Sequence, residues 1–222
     1  VRRALGAFLV PIVQGICFST VTKRKKPAKN KVMIKKFGTP TLKTKRLLLK
    51  PCCVEDSKIL QNYFNNWNII KNINAHIPWP YPENGQADYY ENVLKPEIEI
   101  GNLIVWTIFE KEKSDTPIGR ADYRLNIQNK DTGERGFWLA EPFWNKGYMT
   151  EAITALNNYA FDVLDVGKMT LTNFIDNQAS RRVKEKTGAI YLKTIEEPWR
   201  DEIRKVEIWE LRAENWKKFR EK

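Results

Sequence analysis

Gly136-Phe137-Trp138-Leu139-Ala140-Glu141-Pro142-Phe143-Trp144-Asn145-Lys146-Gly147-Tyr148-Met149-Thr150-Glu151-Ala152 opens as a short apolar segment and breaks at Glu141-Pro142. It then passes through a glycine and re-enters an amphipathic helix at Thr150 and Glu151. The pattern predicts strand, turn and helix. Such a turn leaves the first N–H groups of the helix without intrahelical partners, and they converge with the positive end of the helix dipole. That combination is an anion site. Gly147 allows a positive φ and lets a phosphate approach the backbone with no side chain in the way.

One glycine in one turn also suits an ordinary connection, but the aromatic and polar neighbours make this segment more particular. A P-loop requires a Gly-Lys-Ser/Thr ending that is missing here, which disfavours nucleotide triphosphate chemistry. Trp144-Asn145-Lys146-Gly147-Tyr148-Met149 resembles the acyl-coenzyme A pyrophosphate loop of the GNAT acetyltransferases, Gln/Arg-x-x-Gly-x-Gly/Ala. The following Thr150-Glu151-Ala152 is typical of the RimJ/RimL branch, which acetylates protein N-termini. Trp144 and Met149 depart from the commoner residues at the first and last positions. Such departures are usual in the branch, because backbone amides hold the phosphates.

With 222 residues and 42% hydrophobic composition, the chain can bury one good core. Cys17, Cys52 and Cys53 form no metal or redox spacing, and neighbouring cysteines do not readily bridge, so a reduced, metal-free cytoplasmic protein is expected. The formal charge is +11, but residues 1–50 hold 14 Lys or Arg and no acid, leaving 24 basic against 27 acidic residues afterwards. The basicity belongs to a leader, which argues against specific nucleic-acid binding by the folded part. That leader runs from Arg2-Arg3 through a mostly apolar stretch to Val21, then into Lys23-Arg24-Lys25-Lys26-Pro27-Ala28-Lys29. It lacks a convincing signal-peptidase site and is short for a membrane span. The favoured reading starts translation at Met33, and membrane contact arises only if residues 1–32 are real. Residues 1–40 are therefore expected as an extension, 41–215 as the domain and 216–222 as a tail.

From Thr41 the chain becomes orderly. Thr44 to Pro51 reads as a strand and precedes a helix carrying Leu60, Tyr63, Phe64 and Trp67. His76-Ile77-Pro78-Trp79-Pro80-Tyr81-Pro82 is a rigid loop, because three prolines fall within five residues, and a second helix spans about 83–94. Leu103–Phe109, Pro117–Leu125 and Glu134–Ala140 read as an antiparallel meander, with turn-rich stretches at 111–116 and 128–133. After the central helix, Lys168–Ile175 is a strand parallel to Gly136–Ala140. Ala189–Ile195 and Lys205–Leu211 close the sheet, with Glu196-Glu197-Pro198-Trp199 in the connection.

Asp176-Asn177-Gln178-Ala179-Ser180-Arg181-Arg182-Val183-Lys184-Glu185-Lys186-Thr187-Gly188 reads as a capped helix stopped by glycine. It is the second segment close to the RimJ/RimL pattern, about 30 residues after the first. The resemblance covers 41–212 and implies an α+β GNAT fold, its mostly antiparallel central sheet splayed between two parallel strands and flanked by helices. It implies acetyl-coenzyme A as acetyl donor, held by Phe137, Trp138, Leu139, Ala140, Trp144, Asn145, Lys146, Gly147, Tyr148, Met149, Thr150, Asn177 and Ser180. Backbone N–H groups near Leu139–Glu141 would face the thioester carbonyl. Ser180 stands where the family has a serine that helps the thiolate leave, and Glu196 or Glu197 where the branch can carry a base acting through water. His76, Trp79 and Tyr81 would wall the acceptor groove. The implied activity is N-acetylation of a primary amine, most like a ribosomal-protein N-terminus. Polyamine or aminoglycoside acetylation, and a non-catalytic acyl-coenzyme A-binding module, are the alternatives.

Overall fold

The computed structural model describes residues 38–126 and 132–221. The leader through residue 37 and most of the connection expected at 128–133 lie outside them. Among the described residues, strands β1 (Leu42–Lys43), β2 (Leu47–Pro51), β3 (Leu103–Glu110), β4 (Lys113–Leu125), β5 (Thr132–Leu139), β6 (Lys168–Phe174), β7 (Ile190–Trp199) and β8 (Glu202–Arg212) form one sheet in the order 1-2-3-4-5-6-8-7. Every neighbouring pair is antiparallel except β5 and β6.

Alternation along β3 divides its side chains between two faces. Ile104, Trp106 and Ile108 join the main core, whereas Leu103 and Val105 pack with Cys52 and Leu94. Helices cover both sides, so β3 reads as a continuous apolar run. Helix α1 (Ser57–Phe64), the short α2 (Trp67–Ile70), α3 (Gly85–Tyr89) and α4 (Lys95–Glu99) all precede β3. A π-helical turn at Tyr90–Leu94 joins α3 to α4, so the second expected helix starts later and runs further than 83–94.

Central helix α5 (Tyr148–Asn158) buries Met149, Ala152, Ile153 and Leu156, an i, i+3, i+4, i+7 stripe that lies on the sheet. It connects β5 to β6, which forces the parallel pairing. That pairing is confined to Thr132↔Lys168 and Gly133↔Met169, rather than lying along 136–140 as the sequence suggests. Beyond it β5 stays with β4 while β6 stays with β8, and the sheet splays. Helix α6 (Gln178–Glu185) follows β6 at the open side.

Three further segments differ from expectation. Glu196–Trp199 continue β7, because their partners Glu202–Lys205 extend the hairpin to a tight end. Trp67 begins its own helix, capped by the Asn66 side chain. Residues 216–220, expected as a tail, complete helix α7 (Ala213–Arg220), in which Trp216 is 1% exposed. Its indole donates to Asn158 Oδ1 at 3.1 Å and its ring stacks on Phe219. No helix among the described residues is long and apolar enough to cross a membrane.

Removing the Trp216 side chain leaves a large hole against Phe161 and the end of the central helix. Trp216→Ala is expected to lower unfolding stability by about 3–5 kcal/mol in chemical denaturation. A cost under about 0.5 kcal/mol, the range of surface substitutions, would mean that α7 is peripheral.

Candidate active site

The turn after β5 is built from backbone geometry. A short 3₁₀ segment, Glu141–Phe143, gives way to Asn145 at φ 61° and Gly147 at φ 77°, both left-handed, before α5 begins at Tyr148. Gly147 is the helix N-cap and supplies no side-chain cap. The first-turn amides of Tyr148, Met149 and Thr150 therefore meet only what approaches from the front. All three residues, with Asn145 and Gly147, line one cavity of about 1030 Å³.

An acid and two residues of the turn between β1 and β2 hold this loop in place. The Glu151 carboxylate accepts from Thr44 Oγ1 at 2.6 Å, Arg46 N–H at 2.7 Å and Arg46 Nε at 2.7 Å. Arg46 also donates to the Lys146 carbonyl at 2.9 Å and lies 4.5 Å over the Tyr148 ring. Burial pushes the Glu151 carboxyl up, but these hydrogen bonds outweigh it and hold the group below the ordinary 4.5. Lys146, expected as a cofactor contact, instead turns its ammonium over the Phe143 ring, outside the cavity lining. Thr44 and Arg46 were not legible as site residues, since nothing in a short turn marks a partner a hundred residues away.

In the splay, the Ala140 N–H donates to the Ile118 carbonyl at 2.8 Å. Ala140 is thereby committed to β4 and is not an oxyanion donor. Strand alternation turns the N–H groups of Phe137 and Leu139 the other way, into the gap. The Leu139 carbonyl on that side accepts the Trp144 indole N–H at 2.6 Å, which leaves the Phe137 and Leu139 N–H groups and the Phe137 carbonyl facing the gap. Phe137, Trp138, Leu139 and Trp144 all line the cavity.

Across the gap, Asn177 caps α6 by accepting from Ser180 N–H at 3.0 Å. Ser180 Oγ accepts from Lys184 Nζ at 2.8 Å, one helical turn on. Lys184 is 2% exposed, and burial followed by the nearby Arg135 drives its pKa well below that of a free lysine. Arg135 donates to Asn157 Oδ1 at 2.6 Å and Thr187 Oγ1 at 3.2 Å, and burial pushes its pKa down to about 9. Asn177, Ser180, Lys184 and Arg135 line the cavity together. Neither cation was singled out from the sequence; the i, i+4 spacing of Ser180 and Lys184 was the available signal.

The opposite wall comes from residues 68–76 and the end of β7. His76 and Glu197 line it, but Glu196 is exposed and points away, as strand alternation within β7 requires. Arg200 and Arg204 donate to the carbonyls of Ile77 and Lys71, both at 2.6 Å, and tie the β7–β8 hairpin to this wall. Trp79 lies outside the main cavity in a shallow neighbouring groove with Trp67 and Glu141. Tyr81 is structural: its ring packs on Phe64, its hydroxyl accepts from Gln86, and burial pushes its pKa up to about 12.

Residues 46–190 match the Acetyltransferase (GNAT) domain. The chain is 28% identical over 130 residues to the uncharacterized N-acetyltransferase p20 of Bacillus licheniformis, covering 58% of this chain and 70% of that one. It superposes on a GNAT-family acetyltransferase from Bacillus anthracis with TM-score 0.69 at 19% identity, covering 79% and 99% of the two chains. RimL, a ribosomal L7/L12 α-N-protein acetyltransferase solved with coenzyme A, gives TM-score 0.66 at 17% identity, with 78% and 98% covered.

The Glu151 clamp makes a pH-dependent contribution. A carboxyl held below its unfolded value stabilises the fold fully above about pH 4.5 and loses that contribution as pH falls through the folded value. Glu151→Gln is expected to be about 1–2 kcal/mol less stable than the parent at pH 7. That gap should close below about pH 4.5 in denaturation curves. A gap independent of pH would contradict the ionic role.

Proposed function

This chain belongs to the GNAT acetyltransferase family, and from that premise we propose that it acetylates the N-terminal amine of a protein, using acetyl-coenzyme A as donor. The observation that carries the acceptor class is the charge of the cavity. Among the described residues its only acidic lining residue is Glu197, against the cations Arg135, Arg182, Lys184, Lys186 and Arg200. A polyamine or aminoglycoside would meet net positive charge there, whereas the acceptor wall of Asn68, Asn72 and Asn74 offers amide groups suited to a peptide backbone. The likeness in fold to RimL, a ribosomal L7/L12 α-N-protein acetyltransferase, supports the same acceptor class.

The residues fit the donor. The amides of Tyr148, Met149 and Thr150 and the left-handed Gly147 would hold the pyrophosphate at the helix N-terminus. The free backbone groups of β5 would pair with the pantetheine arm, and Asn177 would meet it from α6. The thioester supplies an activated acyl carbon. Phe137 and Leu139 N–H groups stabilise oxyanion charge as the amine attacks. Glu197, through water, takes the amine's proton, and the exposed His76 belongs to the acceptor mouth. Ser180 Oγ donates toward the departing sulfur, positioned by its hydrogen bond with Lys184. Positioning of the two substrates carries much of the rate.

Two variants test this reading in a thiol-release assay with N-terminal Ala and Ser peptides beside polyamines and aminoglycosides. Gly147→Asp forces a side chain into a left-handed residue and sets a carboxylate before the helix N-terminus, so coenzyme affinity should fall about 100-fold or more. Ser180→Ala should lower kcat about 10- to 100-fold with little change in KM. Turnover of polyamines but not peptides would overturn the acceptor assignment. Coenzyme binding unaffected by Gly147→Asp would overturn the cofactor site.

A further inference from the structure

The floor of the cavity holds more hydrogen-bond donors and more positive charge than its neighbours answer. Lys184 is 2% exposed, and its ammonium, with three protons to donate, has among the described residues the single acceptor Ser180 Oγ. Among the described residues the Arg135 side chain is met only by the neutral oxygens of Asn157 and Thr187. Asn157 is fully buried, and its Nδ2, a further donor, has no partner. Among the described residues neither cation forms an ion pair. Glu134, next in the strand, is exposed on the other face, where Arg124 is its charged neighbour. Burying cations without a counter-charge is costly, and an anion arriving between them relieves that cost.

The place of these groups says which part of a ligand would bring the anion. Arg135 stands two residues past the last parallel pair, at the closed end of the splay, whereas the Gly147 turn lies beyond the other end of β5. The phosphates therefore sit at one end of the gap and the acyl group points toward the other. From Phe137 or Leu139 to Arg135 is two to four residues, about 7–13 Å of strand. A four- or five-carbon acyl chain and the long side chains of Arg135 and Lys184 together bridge that distance.

We propose that the cavity floor is a carboxylate-recognition site, and that the enzyme accepts dicarboxylic acyl donors of the succinyl class as well as acetyl. The inference rests on the acyl-coenzyme A reading above. In the step, the neutral acceptor amine forms a C–N bond to the thioester carbon and the C–S bond breaks. The amine proton leaves through the base, the thiolate is protonated to free coenzyme A, and the product is an amide that keeps the second carboxylate.

The test compares succinyl- and butyryl-coenzyme A, which match in chain length and differ in charge, by quenching of tryptophan fluorescence with no acceptor present. The full-length protein should bind the succinyl thioester about 10-fold or more tightly, the scale of a charged hydrogen-bonded contact. Lys184→Met and Arg135→Met, each checked for folding by thermal melting, should each erase most of that preference. Equal or tighter binding of butyryl-coenzyme A by the parent would overturn the proposal and leave the acetyltransferase reading standing. So would a preference that survives in both variants. Failure of both thioesters to bind would overturn the coenzyme site and this inference with it.

Discussion

Two strands that run parallel and then part leave their facing N–H and C=O groups without partners, and this constraint organises the molecule. Helix α5 makes β5 and β6 parallel, and only two residue pairs are joined before the strands separate. Each then remains in register with its outer neighbour, so β5 and β6 keep their outer ladders and lose pairing only along their inner edges. Buried backbone groups of this kind require partners. The fold partly supplies them, through the Trp144 indole on the Leu139 carbonyl, and leaves the Phe137 and Leu139 N–H groups and the Phe137 carbonyl for a ligand. A bound arm that adds a pseudo-strand there completes the sheet.

The gap is also electrically one-sided. At one end, α5 presents its unpaired N–H groups behind a left-handed glycine, with Glu151 drawn aside by Arg46 and Thr44 so that its charge does not oppose an incoming phosphate. At the other, Lys184 and Arg135 form no ion pair among the described residues. Glu207, the fully buried acid of β8, is engaged with Arg181, Asn173 and Trp209, and so does not neutralise the cavity. The two ends together select an elongated, anionic ligand lying along β5.

Most of the framework was legible because it rests on local signals. The meander, the glycine turn, the i, i+3, i+4 stripe of α5 and the Asn177 cap are short-range features with distinct residue chemistry. What escaped depends on long-range contact. Glu196 and Glu197 read as part of the connection between the closing strands, yet pairing with β8 carries β7 through them, and alternation sends only Glu197 inward. Trp79 and Tyr81 look equivalent beside their prolines. Packing on Phe64 takes Tyr81 into the core, and Trp79 settles beside Trp67. Nothing local marks Lys184 as buried, since its surroundings are set by the fold and include Arg135 on a strand some fifty residues earlier.

The central claim is that an acyl-coenzyme A arm completes the sheet at the inner edge of β5, and amide hydrogen exchange reads that edge directly. On adding acetyl-coenzyme A, exchange should slow at Phe137 and Leu139 and at Tyr148, Met149 and Thr150. Ala140, already bonded to Ile118, and the β7–β8 ladder should be unchanged. Ligand-dependent protection that bypasses Phe137 and Leu139 would contradict the account, because the donor would then lie somewhere other than the splay.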